Sequence, residues 1–121
     1  MKKILIIEDE SLIAKIYATR LNAEGFEVIL ADDGQKGLEI ALSTSPDLIL
    51  LDLMIPKLSG SEVLSRLRQN PATQKTPVII YSNLSDDQEM ANVKKLGATE
   101  FLIKAKISAP DLVKKIKSYL N

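Results

Sequence analysis

The sequence predicts an α/β domain: a parallel sheet covered by helices on both faces. Short unbroken apolar runs recur along the chain, the pattern of strands buried on both sides. These runs alternate with segments whose apolar residues fall at helical spacing. The chain has 121 residues, enough for one domain and too few for two. Strand and helix alternate five times, which argues for a parallel sheet, and right-handed crossovers leave few topologies.

Ile4 to Ile7 reads as the first strand, with Glu8, Asp9 and Glu10 at its exit. Leu12, Ile13, Ile16 and Leu21 recur at helical spacing and predict the inward face of a helix, which Gly25 stops. Phe26 to Ala31 is the second strand, and Asp32-Asp33-Gly34 turns the chain into a helix with Leu38, Ala41 and Leu42 on one face. Ser45-Pro46 breaks that helix. The third strand, Leu48 to Asp52, lies in the stretch DLILLDLMIPKLSG around which the chain is organised, and Asp52 is the one charge in its apolar run. Ser59 and Glu62 predict a capping box for the next helix, whose apolar face is Val63, Leu64 and Leu67. Val78 to Tyr81 is the fourth strand, followed by Ser82. Ser85 and Gln88 predict a second capping box, with Met90 and Val93 facing inward and Gly97 closing the helix. Phe101 to Ile103 is the fifth strand, ending at Lys104. Ser108 and Asp111 open the last helix, which has Pro110 in its first turn and is lined by Leu112, Val113, Ile116 and Leu120.

Composition excludes several functions. Basic and acidic residues balance at 16 each, which gives no electrostatic case for nucleic acid or an anionic membrane. The chain has no cysteine, hence no disulfide, thiolate metal site or thiol nucleophile. It has no histidine, so imidazole acid–base catalysis and a phosphohistidine carried by this chain are both excluded. No apolar stretch is long enough to span a bilayer, and the opening run is too short and too acidic at its end for a signal peptide. The expectation is a cytoplasmic protein.

If all strands run the same way, their exits share one edge of the sheet. That edge collects Glu8 and Asp9, then Asp52, Ser82 and Lys104. Carboxylates gathered there raise each other's pKa unless a cation sits among them. A hard divalent ion such as Mg²⁺ suits an all-oxygen set, and an ammonium beside it suits the phosphate such an ion commonly carries. The arrangement reads as a site that receives a phosphoryl group on a carboxylate.

The segments LIIEDE, LLDLMIPKLSG, VIIYSN and GATEFLIK, in this order and spacing, resemble the receiver domain of two-component response regulators over essentially the whole chain. The resemblance implies a flavodoxin-like three-layer αβα sandwich with strand order 2-1-3-4-5, an order the general rule for such sheets associates with this family. It implies that Asp52 is the phosphoacceptor and that Glu8 and Asp9 hold Mg²⁺ directly or through water. Met54 matches the position whose backbone carbonyl completes the metal shell, and Lys104 the lysine that pairs with Asp52 and then with the phosphoryl group. Ser82 matches the hydroxyl that moves to a phosphoryl oxygen, and Phe101 the aromatic that turns inward with it. The implied function is a phosphorylation-activated switch. It takes its phosphoryl group from a sensor histidine kinase or histidine phosphotransfer protein. It signals to a downstream protein through the fourth helix, fifth strand and fifth helix. The implied state is a monomer or a weak phosphorylation-dependent dimer, with kinase docking on the first helix near Ile13 and Ala14. Residues 1–121 are expected to be the receiver domain alone, with no output domain and no direct contact with nucleic acid or membrane.

Departures from the family pattern bear on chemistry. The first acid is Glu8 where aspartate is usual. Ala105 follows Lys104 where the family usually has a proline after a cis bond; before alanine a cis bond costs roughly 2.5–4 kcal/mol, so a trans bond is expected. The positions two beyond the phosphoacceptor and two beyond the switch hydroxyl are Met54 and Leu84, both apolar and unable to orient a water, which predicts slow loss of the phosphoryl group. The main alternative is a receiver-like interaction module that works without phosphorylation, against which the retained Asp52 and Lys104 argue. A dinucleotide enzyme would need G-x-G-x-x-G after the first strand, and a flavin carrier a glycine- and hydroxyl-rich loop; Glu8-Asp9-Glu10 supplies neither. A phosphohydrolase with its nucleophile on the first strand wants D-x-D there and a cap domain, which are absent from this sequence.

Overall fold

The computed structural model describes residues 1–83 and 86–120. Among them, strand and helix alternate as β1 (Lys3–Ile7), α1 (Ser11–Ala23), β2 (Glu27–Ala31), α2 (Gly34–Thr44), β3 (Leu48–Leu51), α3 (Gly60–Gln69), β4 (Val78–Ser82), α4 (Asp87–Lys95), β5 (Glu100–Ile103) and α5 (Ala109–Leu120). The strands form one parallel sheet in the order β2-β1-β3-β4-β5, the flavodoxin-like arrangement.

The continuous apolar runs occupy the middle of the sheet. Ile4–Ile7, Leu48–Leu51 and Val78–Tyr81 are buried throughout, because helices cover both faces there. Strand alternation then divides the core in two. Leu5, Ile7, Ile49, Leu51, Val78 and Ile80 pack against α2, α3 and α4. Ile4, Ile6, Leu48, Leu50, Ile79 and Tyr81 pack against α1 and α5. The three layers follow from this alternation, and every strand delivers its C-terminal end to the same edge.

Local signals set most helix starts. Ser59 accepts from the Glu62 N–H and Ser108 from the Asp111 N–H, the cap half of the expected boxes, while the Glu62 carboxylate pairs with Arg66. The start of α4 differs. Its cap is Asp86, whose carboxylate accepts from the N–H groups of Gln88 and Glu89; Ser85, where the cap was expected, lies outside the described residues. A carboxylate caps as well as a hydroxyl and adds a charge that the positive helix end favours.

The first helix corrects the expected face. Leu12 and Ile16 are 72% and 45% exposed, while Ala14, Tyr17 and Leu21 are buried. Residues 14, 17 and 21 follow an i, i+3, i+7 spacing along a neighbouring stripe, and the aromatic body of Tyr17 fills more of the layer than Ile16 would. Ala14 is therefore buried, and Ile13 is half-buried against the layer on that side of the sheet. Leu42 on α2 also turns outward, and Met90 on α4 is half-buried beside the fully buried Val93.

Candidate functional site

β3 ends at Leu51, so Asp52 is the first residue past the strand rather than its last. The backbone holds it in place: its N–H donates to the Ile7 carbonyl of the neighbouring strand exit. Gly60 closes the loop beneath it, donating its N–H to the Leu53 carbonyl. A Cβ at Gly60 would stand 2.5 Å from the Asp52 carbonyl oxygen, so only glycine lets α3 start this close to the site.

Glu8 leaves β1 in the same way, and both carboxylates are buried, at 4% and 5% exposure. Two buried carboxylates need a counter-charge. Lys104 provides it from the end of β5. Its ammonium lies 2.5 Å from Glu8 Oε1, 2.9 Å from Asp52 Oδ2 and 3.7 Å from Glu10 Oε1. Asp52 Oδ1 accepts from the Met54 N–H at 3.1 Å. Lys104 opens a 3-10 turn, Lys104–Lys106, and with no cis peptide bond among the described residues the Lys104–Ala105 bond is trans.

The expected residues differ in what they contribute here. Glu8, Asp9 and Asp52 each offer a carboxylate oxygen, all within 4.8 Å of one another, with Asp9 exposed to solvent. This all-oxygen set fits a hard dication such as Mg²⁺. Ser82 ends β4 fully buried, and the register sets Ile80 beside both Leu51 and Phe101. Phe101 is half-buried on the α4 side, lining a surface pocket of about 350 Å³ with Met90, Val93 and Ala98. Met54 touches the acid centre through its N–H, while its side chain is 66% exposed. Two contacts were not anticipated. Glu10 reaches back to Lys104 and makes no side-chain cap bond to its own helix. Tyr81, which carried no role in the sequence, has its ring 5.3 Å from the Lys104 ammonium. A tyrosine one residue before a strand-end serine, among Val and Ile, was the available signal.

Burial pushes the Glu8 carboxyl up to about 7; the Asp52 carboxylate adds to this and Lys104 opposes it. The partner bonds to Asp52 and Glu8 outweigh burial at Lys104 and raise it, so its ammonium stays charged. The Glu8 shift has a defined sign. From its ordinary value of 4.5 up to about 7, the folded chain holds a proton that the unfolded chain has released. This contribution to stability is complete below pH 4.5 and is lost as pH rises through 7. Urea unfolding in EDTA is expected to give about 2 kcal/mol less stability at pH 8 than at pH 5 from this group, after allowance for solvent screening, and Glu8→Gln is expected to flatten the profile. A flat wild-type profile would instead mean that Lys104 keeps Glu8 ionised throughout.

The family model for the response regulator receiver domain matches residues 4–117. The chain belongs to the response regulator receiver family. This receiver domain is 39% identical over 121 residues to the response regulator ArlR of Staphylococcus saprophyticus, covering all of this chain and 53% of that protein. It is 34% identical to the phosphate regulon transcriptional regulatory protein PhoB of Rhizobium meliloti, with the same coverage of each. The chain thus spans about half the length of the curated relatives it matches. Among solved structures, the chemotaxis protein CheY4 of Vibrio cholerae superimposes with a TM-score of 0.90 at 26% identity, over 98% of both chains. A receiver domain protein from Methanospirillum hungatei gives 0.92 at 26% identity, over 99% of this chain and 94% of that one. Receiver domains of response regulators belong to two-component signalling, and this chain is one of them.

Proposed function

We propose that Asp52 accepts a phosphoryl group from a histidine kinase or phosphotransfer protein in a Mg²⁺-dependent reaction, and that residues 1–121 act as the switch unit. The observation that carries this reading is the convergence of Asp52, Glu8 and Asp9 with one buried lysine. Glu8, Asp9, Asp52 and the Met54 carbonyl would hold the metal, which when bound neutralises phosphoryl oxygens and orients the donor.

The chain's own residues do the rest. An Asp52 carboxylate oxygen attacks phosphorus; the new O–P bond forms as the donor's N–P or O–P bond breaks, and the leaving group keeps that electron pair. The transition state is loose and carries its charge on the equatorial oxygens, so placement and charge dominate. Lys104 is placed for this, since the product removes the Asp52 charge it had paired with. Ser82, at the end of β4, then bonds a phosphoryl oxygen, and Phe101 turns into the pocket beside Val93 and Ala98. The phosphoryl group favours one of two existing states of the α4-β5-α5 surface. A downstream protein reads that surface. The kinase docks on α1, where Leu12 and Ile16 are exposed.

Among the described residues no helix is long and apolar enough to cross a membrane. We place the domain in the cytoplasm as part of this proposal. Relatives twice its length are named transcriptional regulators, so freedom from nucleic-acid contact is proposed for these 121 residues alone.

The test is incubation with a small acyl phosphate. Acid-labile phosphoryl incorporation is expected with millimolar Mg²⁺ and none in EDTA; no incorporation under either condition favours the phosphorylation-independent module. Once formed, the phosphoryl group should persist for minutes or longer, because neither Met54 nor Leu84 has a polar side chain to align a water. A half-life of seconds, followed by loss of label after donor removal, would contradict this.

A further inference from the structure

Tyr17 on α1 and Tyr81 on β4 meet in the buried layer on the α1/α5 side of the sheet. Their rings are perpendicular, with centroids 5.4 Å apart, and their hydroxyls hydrogen-bond to each other. Two unbonded hydroxyls in an apolar layer are costly, and here one donates and the other accepts. The neighbouring core positions of β4 are Val78, Ile79 and Ile80, so aliphatic side chains fit this strand. A tyrosine pair is a specific arrangement rather than simple filling.

The Tyr81 ring also supports Lys104. At 5.3 Å from the centroid, the ammonium lies within the roughly 6 Å reach of a cation–π contact. Lysine carries its charge on a flexible four-carbon stem, so its position must be imposed from outside. Glu8 and Asp52 impose it before reaction. In the proposed reaction both are diverted: Asp52 becomes an acyl phosphate, a mixed anhydride, and Glu8 would hold the metal. The ring is a partner that the reaction does not consume.

We propose that Tyr81, clamped by the Tyr17 hydroxyl, is a positioning residue: its ring face holds the Lys104 ammonium level with Asp52 while the carboxylates change partners. Burial, the Tyr17 bond and the Glu8 and Asp52 charges all raise the Tyr81 phenol, so the clamp stays neutral and intact. This inference rests on the proposed phosphoryl transfer. It adds a link from α1, through Tyr17 and Tyr81, to the lysine.

Initial rates of labelling by an acyl phosphate in Mg²⁺ test it. Tyr81→Leu removes the ring and should slow labelling about tenfold. Tyr81→Phe and Tyr17→Phe keep the ring but break the hydroxyl clamp, and each should slow labelling about threefold, between wild type and Tyr81→Leu; wild-type rates in both would remove the clamp from the proposal. In a Lys104→Ala background, Tyr81→Leu should cost less than about twofold, because the residue it positions is gone. Equal slowing in both backgrounds means a merely structural role and overturns the proposal, as does a Tyr81→Leu rate matching wild type. An NMR measurement guards against a variant that fails to fold. In the wild type, the Lys104 ε-methylene protons should lie upfield of ordinary lysine values through the Tyr81 ring current, and ordinary values overturn the contact. If wild type takes no phosphoryl group, the functional reading fails and the positioning role fails with it. If wild type is labelled and Tyr81→Leu keeps pace, only the positioning role fails.

Discussion

Asp52→Asn is expected to lower phosphoryl incorporation from an acyl phosphate by roughly a thousandfold or more, the scale on which losing a nucleophile acts. The amide keeps the volume and the bond from the Met54 N–H, but its nitrogen has no lone pair available to attack phosphorus. No neighbour substitutes readily. Glu8 is bonded to Lys104, and Asp9 is the exposed member of the cluster. Stability should move little, within about 1 kcal/mol at pH 8. The lost Asp52–Lys104 pair is offset by relief of repulsion, since Asp52 is one of the causes that raise Glu8. The Glu8 carboxyl should accordingly titrate lower in this variant. Labelled Asp52→Asn protein, with the label mapped to Asp9 by peptide analysis, would overturn the assignment of the acceptor.

The sheet was legible because its signals are local. Three central strands are uninterrupted apolar runs, and the polar residues that end them, Glu8, Asp52 and Ser82, stand out in composition alone. Parallel order then forces those residues to one edge, so most of the site follows from the fold class. What stayed hidden depends on pairing across the chain. Lys104 meets Glu8 across 96 positions of sequence, and nothing near Glu8 announces that its first partner is a lysine. Helix α1 carries two interleaved apolar stripes, and spacing alone cannot choose between Leu12-Ile16 and Ala14-Tyr17-Leu21. Tyr81 offers Tyr17 a hydroxyl partner on a strand 64 positions away, a pairing that spacing does not reveal. The α4 cap was missed by one residue because Ser85 and Asp86 are both good caps, and only backbone geometry separates neighbours of equal preference.

Lys104→Ala is expected to cost about 3–5 kcal/mol of folding stability at pH 8 without a divalent cation, and much less at pH 5. The wild-type side chain is 7% exposed and faces two carboxylates that are at least as buried. Removing it leaves those charges without a counter-ion, and truncating one member of a buried pair strands the other. Protonation offers one escape. Lys104 lowers the Glu8 carboxyl in the wild type, so without the lysine that carboxyl is raised further and can hold a proton, which leaves a single charge in the site. The penalty should therefore grow as pH rises through neutrality, opposite in direction to ordinary acid denaturation. Magnesium offers another escape. A dication among Glu8, Asp9 and Asp52 supplies the missing positive charge, so millimolar Mg²⁺ should return much of the lost stability. Glutamine at Glu8 in the same background should return part of it with no metal present. Urea titrations at the two pH values, each with EDTA and with Mg²⁺, read all four corners. A Lys104→Ala penalty that ignored both pH and metal would mean the lysine is held for its packed stem, and that the acidic cluster is solvated well enough to need no cation.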